Sequence, residues 1–90
     1  MSGELERCAI TCEDLIHYVK TTSAESKIIV AIDDEGLVVS DETDKILIKY
    51  DFKSRGFIQT FKDEIIKSIF KILSEYRYNV DTKENKIIVA

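Results

Sequence analysis

Residues 27–52, KIIVAIDDEGLVVSDETDKILIKYDF, decide the fold. Lys27 to Ile32 contains five consecutive apolar residues, four of them β-branched. The run is too short for a stable helix, and its unbroken apolarity predicts a strand that is central in its sheet and covered on both faces. Asp33-Asp34-Glu35-Gly36 follows as a turn, with Gly36 predicted to supply a positive φ, and Leu37 to Ser40 returns antiparallel. A second polar turn spans Asp41 to Asp44. Lys45 to Phe52 then alternates, with Ile46, Ile48, Tyr50 and Phe52 on one face and Leu47, Lys49 and Asp51 on the other. Three strands on short polar turns make an antiparallel meander.

Upstream, residues 1–5 offer little to pack and are expected to fray. Thr11 with Asp14 has capping-box spacing, which predicts a short helix from about Cys12 to Lys20 with Leu15, Ile16 and Val19 inward. Thr21 to Ser26 reads as a loop. Downstream, Lys53 to Gly56 is a third turn, and Phe57 to Thr60 reads as a short strand or an extended lead into the next helix. Thr60 with Asp63 repeats the capping spacing, so a long helix should run from Phe61 or Lys62 to about Tyr76. Ile58, Phe61, Ile65, Ile69, Ile72, Leu73 and Tyr76 fall on about 120° of its circumference, the width needed to dock on a sheet. The tail reads as a strand from Tyr78, a polar turn from Asp81 to Asn85, and a strand from Lys86 to Ala90. The expected fold is α+β: a single domain over residues 1–90, with a short helix, a three-stranded antiparallel meander, a long amphipathic helix packed on the sheet, and a C-terminal strand or hairpin.

Composition narrows the class. The longest apolar run is far below the roughly 18 residues that span a bilayer. The start of the chain, MSGELER, has neither the basic nor the apolar segment of a secretory signal, so a cytoplasmic, intracellular location is expected. Cys8 and Cys12 are too close in sequence to close a useful loop and are expected as thiols. Abundant Ile and Lys without Pro or Trp suit an AT-rich genome, viral or phage among them. Charge is sorted along the chain: residues 1–44 carry three basic side chains against eleven acidic ones, and residues 45–71 carry seven against three. Such asymmetry points to a surface that meets something.

No catalytic constellation stands out. Cys8, Cys12 and His17 are three candidate metal ligands where structural zinc takes four, usually as two close pairs, so no metal and no cofactor are expected. Asp33-Asp34-Glu35 and Asp41-Glu42-Asp44 lie at opposite ends of one short strand, roughly 13 Å apart, and cannot share a cation. Ile66 and Phe70 widen the apolar arc of the long helix to about 180°. Either the first helix covers that extra strip or it borders a dimer or partner contact.

The expected function is therefore a non-enzymatic protein–protein interaction module: a regulator, adaptor, inhibitor or subunit. Its partner would be another protein or a second copy of itself, with Ile66, Phe70, Asp41, Glu42 and Asp44 as interface residues. An alternative is binding of RNA, DNA or a phosphate ligand through Lys49, Lys53, Ser54, Arg55 and Lys62, with Tyr50, Phe52 and Phe57 as interleaved rings. An enzyme comes third, with no residue pair singled out.

Overall fold

The computed structural model describes residues 3–23, 26–76, 78–84 and 86–90. The first helix, α1, runs over Gly3–Thr22, far longer than its capping pattern suggested. Leu5, Cys8, Ala9, Cys12, Leu15, Ile16 and Val19 recur at three- and four-residue spacing from the first turn onward, so one apolar stripe extends through the whole helix. Thr11 is not a cap. Its hydroxyl donates to the carbonyl of Arg7 at 2.8 Å, the back-bonding open to a threonine inside a helix. Residues 3–5 form the first turn of the helix, and Glu4 Oε1 accepts the backbone N–H groups of Ile58 at 2.8 Å and Gln59 at 3.3 Å. Met1 and Ser2, also expected to fray, lie outside the described residues, as do Ala24 and Glu25 of the expected loop.

Five strands form one antiparallel sheet: β1 (Ile28–Ile32), β2 (Gly36–Ser40), β3 (Ile46–Asp51), β4 (Val80–Lys83) and β5 (Lys86–Val89). Their order across the sheet is β3-β2-β1-β5-β4, so β1 is central. Cross-strand partners share a face. The register Val30↔Val39, Val30↔Ile87, Ile28↔Val89 and Ile32↔Leu37 therefore gathers these side chains on one side, where all are buried together with the inner stripes of both helices. The opposite face carries Ile29, Ala31, Val38 and Ile88, each only half-buried. The expectation that β1 is covered on both faces is thus corrected, because both helices lie on the same side.

Two details of the meander differ from simple alternation. Gly36 is the first residue of β2, is buried, and is not among the positive-φ residues. A Cβ there would overlap the carbonyl oxygen of Tyr50, so close backbone approach, not φ, demands glycine. The turn itself is built by Asp33, whose Oδ1 accepts the N–H groups of Glu35 at 2.8 Å and Gly36 at 2.9 Å. In β3 the pairing shifts from Val39↔Ile48 to Ser40↔Ile46, leaving Leu47 as the extra residue of a bulge. Ile46 is thereby turned to the open face at 59% exposure, while Tyr50 and Phe52 remain in the core.

A single 3-10 turn, Lys53–Arg55, closes with Gly56 at φ 86°. Residues 57–61 form an extended lead and no strand, and α2 follows over Lys62–Glu75. Phe61 occupies the cap position with no side-chain hydrogen bond, so the Thr60–Asp63 pattern is not used. Ile65, Ile69 and Leu73 are buried as expected, whereas Ile58 precedes the helix and is 90% exposed, and Tyr76 ends it exposed. The C-terminal turn is narrower than predicted: Asp81 to Lys83 belong to β4, and Glu84 takes φ 57°. Asn85 lies outside the described residues. Replacing Gly36 by Ala should lower unfolding free energy by at least about 2 kcal/mol in denaturant titration. Gly3→Ala, whose Cβ meets nothing within 4 Å, should stay within about 0.5 kcal/mol.

Candidate partner-binding surfaces

The second acidic turn is mostly self-satisfied. Asp41 is buried, and its Oδ1 accepts the hydroxyl of Thr43 at 2.7 Å and the N–H groups of Thr43 at 2.8 Å and Lys45 at 3.0 Å. The bond from the Thr43 hydroxyl leads the causes that hold this carboxyl below its ordinary range. Asp41 thus builds the turn and presents little to a partner. Glu42 lies 3.6 Å from Lys27, and Asp44 sits exposed at φ 66°. Of the three predicted interface acids, only Glu42 and Asp44 are exposed.

The anion-binding candidates do not converge. Lys49 stands on the open sheet face, Lys53, Ser54 and Arg55 form the 3-10 turn, and Lys62 is the half-buried first residue of α2. Asp51 organises that turn, its Oδ1 accepting the N–H of Lys53 at 2.9 Å and its carbonyl accepting the Ser54 hydroxyl at 3.1 Å. Arg55 lies 5.3 Å over the Tyr50 ring. The turn adjoins the first acidic turn, as the meander implied: Phe52 donates to the Glu35 carbonyl at 2.9 Å, and Asp34, Glu35, Asp51, Lys53 and Ile58 help line an open cleft of about 730 Å³. Tyr50, Phe52 and Phe57 are buried against one another, with ring centroids 5.8–6.4 Å apart, and offer no stacking surface. A different basic feature emerges from the register. Lys49, Val38, Ala31, Lys86 and Lys83 form one row across the open face.

On α2, the hydrogen bond from Ser68 to Glu13 at 3.1 Å marks where α1 packs. Burial pushes the Glu13 carboxyl up, with the Ser68 bond opposing. At about 100° per residue, Ile66 and Phe70 lie on the far side of α2 from Ser68. The extra apolar strip is therefore not covered by α1. Because α1 has its strand contacts with β2 and α2 with β4, the strip faces the β4 side of the sheet. Ile66 is half-buried against the core and Phe70 is 38% exposed.

Some features were invisible in sequence. His17 Nδ1 lies 3.1 Å from the Tyr78 hydroxyl and its ring centroid 5.7 Å from that of Tyr76, with Lys20 Nζ 5.6 Å over Tyr78. No spacing rule links residues so far apart along the chain. Cys8 and Cys12 are fully buried on the inner stripe of α1, and burial pushes the Cys12 thiol well up. Among the described residues no three metal-ligating side chains converge, and no helix is long and apolar enough to cross a membrane. Comparison with protein-family models, curated proteins and solved structures finds no match.

The two displaced carboxyls should act with opposite sign on stability. Asp41, held low when folded, stabilises above its unfolded pKa and loses that contribution as pH falls through its folded value. Asp41→Asn should therefore melt below the parent at neutral pH, with the gap closing in acid. Glu13, held high, opposes folding as pH rises through its range. Glu13→Gln should melt above the parent at neutral pH, and that gap too should close in acid. Thermal melts across pH check both.

Proposed function

We propose that this chain is a non-enzymatic protein–protein interaction module whose contact surface centres on the outer flank of α2. The carrying observation is Phe70, a large apolar side chain 38% exposed beside half-buried Ile66, on the flank that α1 leaves uncovered. Aromatic side chains in partly apolar surroundings are the usual anchors of protein contacts. The exposed acids Glu42 and Asp44 would steer and orient a partner more than hold it. The displaced pKa values belong to Cys8, Cys12, Glu13, Asp41 and Tyr50, set by burial or by turn hydrogen bonds, and none of these residues lines the 730 Å³ cleft. A photo-cross-linking residue at position 70 should yield a discrete protein adduct in a lysate of the source cell, with no such adduct from position 59. Equal labelling at both positions, or none at 70, would overturn the reading.

A second reading rests on the cross-sheet row of Lys49, Lys86 and Lys83. Three aligned ammonium groups favour a polyanion, and the reading retains charge without stacking. Labelled single-stranded RNA or DNA should then bind at low salt, release steeply as salt rises, and bind more weakly to Lys49→Glu. Absence of binding at low salt removes it.

A further inference from the structure

The edge strand on the side that the exposed strip faces has a free edge. Asn79 and Ala90 exchange both backbone hydrogen bonds, at 3.3 and 2.9 Å, so antiparallel alternation fixes which groups of β4 face β5. Asp81 and Lys83 pair inward, opposite Ile88 and Lys86. Val80 and Thr82 direct their N–H and C=O groups outward, where no described strand lies. The outward N–H of Thr82 is met by its neighbour's carboxylate, Asp81 Oδ1, at 2.8 Å.

We infer that the partner of this surface is a second copy of the chain, joined edge to edge through β4 about a two-fold axis at Thr82. The inference rests on the interaction reading above and names its partner. Antiparallel pairing of Thr82 with its symmetry mate uses the outward groups of both strands. The same register sets Asp81 opposite Lys83 of the partner subunit, twice over, on the open face. Strand β4 is thus self-complementary in charge, and opposite charges directly across a ladder are favourable. The Asp81 carboxylate leaves the Thr82 N–H, which gains a carbonyl, and moves to the partner's Lys83.

The helices fit the same axis. On the helix side of β4, Val80 is half-buried and Thr82 exposed, while Ile87 and Val89 of β5 are fully buried, so α2 leaves room for a second α2 across the joined edge. Phe70 and Ile66 of each α2 then close over the seam. They are needed there, because a four-residue edge alone falls well short of the roughly 800 Å² per partner typical of stable contacts.

Mass in solution, measured by sedimentation over a concentration series, should show a dimer. Thr82→Pro removes an N–H that β5 does not use, so it should give a monomer with unchanged circular dichroism. Phe70→Asp should also dissociate it. Asp81→Lys and Lys83→Glu should each weaken self-association about tenfold, while an equimolar mixture of the two single variants re-forms dimers, since each supplies the charge the other lacks. A parent chain monomeric at every concentration overturns the inference, as does a dimer indifferent to Thr82→Pro and to charge reversal. If the parent is monomeric yet position 70 still cross-links to a different protein, the interaction reading stands and only the second copy is lost.

Discussion

The double pairing of β1 is the constraint on which the rest of the structure depends. Its edge toward β2 is satisfied locally, across a turn built by one aspartate, while its edge toward β5 waits for Lys86 to Val89 at the far end of the chain. Closing that second ladder carries the larger loop entropy. It fixes the path of everything between: β3 ends the meander at one edge, and α2 must then cross the sheet to deliver the C-terminal hairpin to the other. Both helices consequently share one face. Glu4 reinforces the crossing by accepting two N–H groups from the lead into α2, which ties the first turn of the chain to the start of that passage.

What the sequence disclosed follows from the range of the interactions involved. The meander, the long helix and the C-terminal hairpin were legible because apolar periodicity and turn residues act over a few positions. The length of α1 was obscured by a misleading local cue, since Thr11 satisfies its hydroxyl within the helix as readily as at its start. The bulge at Leu47 was also out of reach, because it depends on how β2 and β3 slide past each other and not on either sequence alone. Gly36 was singled out correctly but for the wrong reason: its small size answers the approach of the Tyr50 carbonyl, a contact between strands. Ile66 and Phe70 were picked out by helical arithmetic. Which neighbour leaves them uncovered required the position of α1.

Charge sorting along the chain proves a poor guide to charge on the surface. Asp33, Asp41 and Asp51 are turn-building side chains whose Oδ1 atoms are occupied by backbone N–H groups of their own loops. The basic middle segment is likewise dispersed, with Lys49 on the open face, Arg55 over Tyr50 and Lys62 at the base of α2. Among the described residues, the row of like charge that the register assembles draws two of its three lysines, Lys83 and Lys86, from the C-terminal hairpin, where positive and negative residues balance along the sequence.

The two edges of the sheet are managed differently. At β3 the bulge interrupts regular pairing and exposed Lys49 and Asp51 follow it along the strand, features that discourage addition of another strand. Strand β4 is regular in its register and is shielded chiefly by the carboxylate of Asp81 on the N–H of Thr82. That shield is reversible, since a side-chain acceptor on an exposed N–H gives way to a backbone carbonyl at little net cost. It lies at the edge of the sheet toward which the apolar flank of α2 faces. An edge whose guard can be displaced, beside a helix that leaves Phe70 38% exposed, is what the proposed self-association draws on.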